Sequence, residues 1–227
     1  MLQTLARAHK LMTKYMIGRS RLFARCATLA TLILVTALPV SAQTKFFGGE
    51  GSKTLDTTGH PKAKGLKIRI DFPASWSIAE AKRPNTVAIA TSEQGNGLQN
   101  CVVGVHTTDQ LGWPPGRARS ETKASFAAPA RLRAMAEESD SDFIEGGPAA
   151  IEDLPSRWVS SVARVSRDGS NNVFPQVTYQ VLFKNWLISV VCGSGATGRA
   201  AALASFRNHE VLFRLIANSI VLPQRWP

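Results

Sequence analysis

The sequence is poor in the side chains that most often carry catalysis and metal binding. Only 3 Cys and 4 His occur among 227 residues, and no CxxC or HxxxH spacing brings metal ligands together. No Ser lies in a GxSxG turn, a local signature of many Ser hydrolases. These shortages predict no metal, no cofactor and no catalytic set, and they favour a non-enzymatic protein. One alternative stays open, a hydrolase whose groups meet only on folding, around His106 or the acidic cluster Glu137, Glu138, Asp140 and Asp142.

Acidic residues are missing from the N-terminus, and this accounts for much of the net charge of +11. Residues 1–42 contain six Lys and Arg and no Asp or Glu, which leaves 21 Lys and Arg against 16 Asp and Glu, a charge of +5, in residues 43–227. A charge of this size keeps a small domain soluble. Nucleic-acid binding would also need aromatic side chains among the cations, and the basic segment 117–133 contains only Phe126. We therefore predict no nucleic-acid partner.

Long hydrophobic runs are also missing, apart from one stretch near the N-terminus. Residues 27–40 carry no charge, basic residues precede them, and Val40-Ser41-Ala42 supplies the small residues that a signal peptidase recognises. This run of 14 residues is shorter than the ~20 that a membrane span needs. We therefore predict a signal peptide over 1–42, cleavage near Ala42 and a periplasmic or secreted protein. An uncleaved membrane anchor remains an alternative, as do translation starts at Met12 or Met16.

Export would leave two cysteines, Cys101 and Cys192, in an oxidising compartment where disulfides persist. Both lie in apolar, strand-like runs. A bond between them would close a loop of about ninety residues and stabilise the fold by at most ~4–5 kcal/mol on chain-entropy grounds. Two separate buried thiols are the alternative. His106 follows Cys101 at an odd spacing, which puts the two side chains on opposite faces of a strand and argues against a catalytic Cys–His pair.

The pattern of apolar residues predicts a single α+β domain over 65–222, preceded by a polar and flexible segment over 43–64. The first strand alternates strictly, with its apolar residues at Leu66, Ile68, Ile70 and Phe72. Trp76 is placed in a turn or short helical segment. Further strands are predicted at 86–92, 101–107, 157–167, 173–183 and 186–192, and helices at 120–138 and 198–219. Short turns favour antiparallel pairing, so we expect an antiparallel sheet of about six strands flanked by two main helices.

The run from Gly193 to Gly198 spells GxGxxG between a predicted strand and a predicted helix, which is the local context of a dinucleotide-binding turn. The wider context is absent, because no second parallel strand follows and no acidic residue stands about twenty positions on. The run is therefore interpreted as a strand-to-helix connection, and no cofactor is predicted.

The best candidates for partner contact lie between the predicted strand at 101–107 and the helix that follows. Trp113 stands in a Pro- and Gly-rich loop, and aromatic side chains in loops often anchor partners, although a Trp that caps the core is an equal alternative. Arg117 and Arg119 open the basic segment 117–133. We expect the partner to be another protein or an envelope component. Weak contact between the basic segment and an anionic membrane surface is the alternative.

Two short runs resemble small bacterial exported proteins of the PsbP-like fold family, whose functions are unknown. They are Ile70-Asp71-Phe72-Pro73-Ala74-Ser75-Trp76 with the following Arg83-Pro84-Asn85, and Ile151-Glu152-Asp153-Leu154-Pro155-Ser156-Arg157-Trp158. The resemblance covers about 65–221. It implies a PsbP-like α/β/α sandwich and a non-enzymatic accessory or binding protein.

Overall fold

A computed structural model describes residues 51–92, 98–108, 123–167, 170–196 and 198–225. The strands are β1 (Ser52–Asp56), β2 (Arg69–Pro73), β3 (Ser77–Glu80), β4 (Thr86–Ser92), β5 (Leu98–Thr107), β6 (Ser141–Pro148), β7 (Ser156–Arg167), β8 (Ser170–Phe183) and β9 (Trp186–Gly195). The α-helices of the described residues are α1 (Pro129–Glu138) and α2 (Arg199–Asn218), and residues 123–126 are also helical.

Seven strands form one antiparallel sheet in the order β3-β4-β5-β9-β8-β7-β6. The antiparallel pairing expected of the predicted strands 157–167 and 173–183 is confirmed, since β7 and β8 pair from Ser156↔Val181 to Arg167↔Ser170. Strand β4 spans the predicted residues 86–92. The predicted α+β class with an antiparallel sheet is therefore confirmed, with seven strands in the main sheet in place of about six.

Two strands of this sheet were not expected. The segment after Trp76, predicted as a turn or helix, is strand β3, which has four residues and only one large apolar side chain, Ile78. Strand β6 was also missed, because two glycines and a register shift between Phe143 and Glu145 interrupt its alternation. Both strands lie at the edges of the sheet, where only one side of the strand needs a partner and hydrophobic patterning is weakest.

A second, two-stranded sheet contains β1, from the segment 43–64 that was predicted to be flexible, and β2, from the predicted first strand, which therefore lies outside the main sheet. Strand β1 pairs with β2, so the folded part begins well before residue 65. Leu55 is the one residue of β1 that is even partly buried. Two side-chain hydrogen bonds reinforce the pairing: Thr54 Oγ1 donates to Asp71 at 2.6 Å, and Arg69 Nε donates to Asp56 at 3.0 Å. Hydrophobic periodicity cannot detect a strand that is held in this way.

The two α-helices cover opposite faces of the main sheet. In β7 the neighbours Trp158 and Val159 point to opposite sides. Val159 packs with Leu132 of α1, whereas Trp158 is paired with Tyr179 on the side that α2 covers. We call these sides the α1 face and the α2 face. This layered arrangement is the sandwich that the sequence resemblance implies.

The ends of the helices follow from local sequence. Pro129 is the first residue of α1 and follows an extended Ala128, as proline requires of the residue before it. The predicted helix over 120–138 is thus divided at Pro129. Helix α2 begins after Gly198, whose φ is 86°, and its buried stripe comprises Ala202, Phe206, Phe213, Ile216 and Ala217.

The predicted disulfide is present in the centre of the sheet. Cys101 in β5 lies directly opposite Cys192 in β9, and the bond joins residues 91 positions apart. Both cysteines are fully buried in the main core on the α2 face. The bond fits a protein of an oxidising compartment. Among the described residues, no helix has the length and apolar character required to cross a membrane.

Candidate functional site

A cleft of about 250 Å³, lined entirely by described residues, opens on the α2 face where α2 passes over the ends of β6, β7 and β8. Its lining residues are Pro148, Ala149, Ala150, Trp158, Tyr179, Glu210, Arg214 and Asn218. We call it the Trp158 cleft. The sheet contributes its aromatic floor, the β6–β7 connection its apolar rim, and α2 its polar wall.

The floor consists of two aromatic residues held in register by the β7–β8 hairpin. Trp158 is partly exposed and lies directly opposite Tyr179, which is only 6% exposed. Burial raises the pKa of Tyr179 to about 12, while the charge of Arg214 opposes that rise and the charge of Glu210 adds to it. The phenol therefore remains protonated at neutral pH and is available as a hydrogen-bond donor.

The polar wall is a row of side chains spaced one helical turn apart on α2: Glu210, Arg214 and Asn218. Arg214 and Asn218 are exposed, and Glu210 is partly buried. Glu210 and Arg214 have the spacing of a helical ion pair, yet within the described part of the chain neither is in a salt bridge. The cleft thus offers one carboxylate acceptor beside three donors, the guanidinium, the Asn218 amide and the Tyr179 hydroxyl.

The rim of the cleft is fixed by a buried serine. The Ser156 hydroxyl lies 2.5 Å from the carbonyl oxygen of Ala149 and 3.1 Å from that of Leu154, and it accepts from the N–H of Ile151 at 3.3 Å. The N–H of Ala149 also bonds to the carbonyl of Ser156 at 3.0 Å. The residues Ile151 to Trp158, which carry part of the sequence resemblance, therefore shape this side of the cleft.

The partner-contact residues predicted from sequence are not placed by the structure. Trp113, Arg117 and Arg119 lie outside the described residues, so their role stays a prediction. Further along the basic segment, Lys123 pairs with Asp153 at 2.5 Å. Arg133 stands 5.6 Å from the centre of the Phe143 ring. These two cations are engaged within the protein.

The three described histidines lie away from the cleft. His106 follows Cys101 on β5 and belongs to the opposite face, as its spacing predicts, and partial burial and then the charge of Lys64 lower its pKa. His60 caps a short 3-10 turn by accepting from the N–H of Lys62 at 3.2 Å. His209 Nδ1 lies 2.7 Å from the carbonyl of Ser205. None of the three lines the Trp158 cleft.

The acidic cluster is also spread out. Glu137 and Glu138 end α1, Asp140 occupies the following turn with a φ of 48°, and Asp142 belongs to β6. None of them lines the Trp158 cleft. Among the described residues, no group of three or more His, Cys, Asp and Glu has a geometry that could hold a metal ion.

The glycine run between β9 and α2 has a packing role. Strand β9 continues through Gly195. A Cβ at Gly193 would lie 2.2 Å from Cε1 of Phe174, so only glycine leaves room for that ring. The interpretation of the whole run as a strand-to-helix connection is therefore too broad, because residues 193–195 belong to β9 and Gly193 is explained by packing within the sheet.

Sequence reasoning missed the residues of the cleft. Trp158 was noted only as part of the resemblance, and Tyr179 only fell within the predicted strand 173–183. The spacing of Glu210 and Arg214, four residues apart on a predicted helix, was a signal for a shared helix face. That this face lies over the Trp158–Tyr179 pair could not be read from the sequence, because it depends on how α2 crosses the sheet.

No protein-family profile matches this chain, and no curated protein is similar to it. Solved structures are similar at low identity. The solution structure of the cyanobacterial PsbP protein CyanoP from Synechocystis is 13% identical, with a TM-score of 0.45, and the match covers 78% of this chain and 95% of that one.

Two further structures are similar to a comparable extent. The Ran-binding protein Mog1p from Saccharomyces cerevisiae is 8% identical over 76% of this chain and 96% of that one, with a TM-score of 0.47. LpqN, a protein involved in cell envelope biogenesis of Mycobacterium tuberculosis, is 10% identical over 75% of this chain and 91% of that one, with a TM-score of 0.40. Similarity at this level concerns the fold alone.

Proposed function

We propose that this chain is an exported, non-enzymatic binding protein that holds an extended segment of a partner protein in the Trp158 cleft. The observation that carries the proposal is the pair Glu210 and Arg214, which stand above the aromatic floor without an ion pair in the described part of the chain. Opposite charges that are close but unpaired are available to a ligand that presents both a donor and an acceptor.

A peptide backbone is such a ligand. Its carbonyl can accept from Arg214, Asn218 or the Tyr179 hydroxyl, and its N–H can donate to Glu210. An apolar side chain of the same segment can then bury itself against Trp158 and Pro148. The volume of about 250 Å³ lies below the ~300–1,000 Å³ typical of sites for whole small molecules, and so suits one side chain of a larger partner.

Export is supported by two independent features. The uncharged run over 27–40, followed by Val40-Ser41-Ala42, has the order of a cleaved signal peptide. The buried Cys101–Cys192 bond suits the oxidising compartment to which such a signal leads. Both features support the proposal that the protein is cleaved near Ala42 and acts in the periplasm or outside the cell.

The alternatives find less support. A hydrolase would need a nucleophile and a base together, and neither His106 nor the acidic cluster lines the Trp158 cleft. A membrane-surface role for the segment 117–133 would need free cations, and of its three described cations Lys123 and Arg133 already contact Asp153 and Phe143, whereas Arg131 is exposed.

The proposal is tested by selecting peptides from a random display library on the mature, oxidised protein and measuring their dissociation constants. We expect Arg214→Ala to weaken the selected peptides about tenfold or more, as loss of a charge-assisted hydrogen bond implies. Arg207→Ala is the matched control, because Arg207 is an exposed cation of the same helix that does not line the cleft.

Two results would contradict the proposal. Selected peptides that bind Arg214→Ala as tightly as the wild type would show that binding occurs elsewhere on the protein. A selection that enriches no peptide at all would reject an extended segment as the ligand.

A further inference from the structure

Strand β6 leaves one of its sides open next to the Trp158 cleft. Within the described part of the chain it pairs only with β7, since β6 ends the strand order of the main sheet. Residue Ile144 of this strand is 48% exposed. The strand ends at Pro148, which is also the first residue of the cleft rim. The open side of β6 therefore continues directly into the cleft.

The register shows which backbone groups face outwards. The N–H of Ala149 bonds to the carbonyl of Ser156, and these two residues stand opposite each other in the continued β6–β7 register. In an antiparallel pair, hydrogen-bonded and non-bonded positions alternate. Gly147 is therefore bonded to β7, whereas the N–H and C=O of Gly146 and the C=O of Pro148 point away from it.

These outward-pointing backbone groups are accessible because β6 has little side-chain bulk at these positions. Gly146 and Gly147 have no side chains to shield the backbone. The Trp158 indole lies against Gly147, where a Cβ would be 3.4 Å from its Nε1. A side chain placed opposite Gly147 on an added strand would thus point to the α2 face, beside the edge of the indole.

We propose that the partner segment binds as an additional antiparallel strand along Gly146–Pro148 of β6 and places an apolar side chain in the Trp158 cleft. This inference rests on the proposed function of that cleft. The segment would donate to the carbonyls of Gly146 and Pro148 and accept from the N–H of Gly146, which is the hydrogen-bonding mode of strand addition to a sheet edge.

The charge of the edge specifies the segment further. Glu145 is exposed and lies on the same face of β6 as Gly147. On an added strand, the residues opposite Glu145 and Gly147 are two positions apart and share the α2 face. We therefore expect a Lys or Arg opposite Glu145 and, two residues from it, the apolar residue that enters the cleft.

The same charge disfavours a second copy of this chain as the occupant. Self-pairing of β6 centred on Gly146 would bring the two Glu145 carboxylates to diagonal positions on one face, where like charges repel. A segment of a different protein, with a cation at that position, avoids this repulsion.

The test uses a terminally blocked peptide obtained by the library selection, with each backbone nitrogen methylated in turn. Strand addition predicts that methylation at two positions, two residues apart, weakens binding about tenfold or more, while the residue between them tolerates it. Hydrogen exchange at the Gly146 amide should also slow when the peptide is bound.

Glu145→Lys should weaken the binding of a peptide that carries the expected cation. Leu98→Lys, which changes an exposed residue of β5, should leave that binding unchanged.

The outcomes separate this inference from the proposed function. If Arg214→Ala weakens the peptide but methylation shows no alternating pattern, the cleft binds a segment and strand addition is wrong. If sedimentation shows that the protein dimerises and Ile144→Lys abolishes the dimer, the occupant is a second copy, and the proposed partner is wrong. If methylation alternates but Glu145→Lys has no effect, the expected cation is wrong.

Discussion

The two edges of the seven-stranded sheet, β3 and β6, are protected by different means. Strand β3 has four residues, and Lys62 closes its end by donating to the carbonyl of Ala81 and pairing with Glu80 at 3.1 Å. Strand β6 has eight residues and relies on a register shift near Phe143 and on Pro148. Charged side chains, bulges and prolines are all devices that discourage strand addition.

The difference between the edges lies in what remains open. At β3 a short strand and a fixed lysine leave little room for another strand. At β6 the register shift acts upstream and Pro148 removes only one donor, so the backbone of Gly146 between them stays available. The edge that is less protected is also the one that leads to the aromatic cleft, and this coincidence is why we assign a binding role to β6.

The largest expected effect concerns the bond that holds the two edges in one sheet. Strands β5 and β9 join the part that carries β3 to the part that carries β6, and the Cys101–Cys192 bond links them. Replacing both cysteines by alanine should lower the free energy of unfolding by up to ~4–5 kcal/mol, since a loop of about ninety residues is released in the unfolded state. Urea denaturation of the variant and of the oxidised wild type measures the difference.

Reduction of the wild-type protein provides the control, because it breaks the same bond without changing a residue. Both treatments should shift the urea midpoint in the same direction. Equal midpoints for the variant and the oxidised wild type would mean that β5–β9 pairing and core packing alone join the two parts of the sheet.

A smaller effect is expected from adjacent glycines of β6. A Cβ at Gly146 would lie 2.7 Å from the carbonyl oxygen of Trp158, a backbone atom that cannot move aside easily. Gly146→Ala should therefore destabilise the protein by about 1–3 kcal/mol, the usual cost of overpacking. At Gly147 the nearest contact would be the Trp158 indole at 3.4 Å, so Gly147→Ala should be nearly neutral. Thermal unfolding of the two variants makes the comparison, and an equal loss from both would contradict it.

Much of the fold could be predicted because its central elements carry strong patterns. The alternation from Leu66 to Phe72 and the stripe of α2 from Phe206 to Ile216 follow from burial on one side, which leaves a clear period in the sequence. The β7–β8 pair followed from two apolar strand patterns separated by a short turn, whereas the disulfide followed from the predicted export of a chain with two remaining cysteines. These elements lie in the core, where the hydrophobic effect dominates the choice of residue.

The missed elements are those in which polar contacts or backbone pairing replace burial. Strand β1 depends on Asp71 and Arg69, which follow it in sequence, and β6 is interrupted near Phe143. The Trp158 cleft depends on tertiary geometry, since nothing in the sequence states that Glu210 and Arg214 lie over Trp158. Sequence patterns report the burial of single elements, whereas this site forms between elements.

The smallest expected effect concerns Lys62, which protects the β3 edge. The hydrogen bond and charge of Lys62 lower the pKa of Glu80 below its usual 4.5. The Lys62–Glu80 contact therefore contributes its full stabilisation of the edge above pH 4.5. This stabilisation is lost as the pH falls through the lowered pKa of Glu80. Amide exchange in β3, corrected for the intrinsic pH dependence, should become faster at low pH by about twofold, as suits an exposed ion pair.

Two variants decide whether Lys62 is the cause. Lys62→Met should give the faster β3 exchange at every pH and remove most of its dependence on acid, because Glu80 then loses its ion-pair partner and keeps only the weaker charge effect of His60. Lys82→Met, which changes an exposed lysine just beyond the end of β3, should leave the wild-type profile unchanged. If Lys62→Met keeps the acid dependence, another group protects the β3 edge. The difference between β3 and β6 would then rest on strand length alone and not on charge.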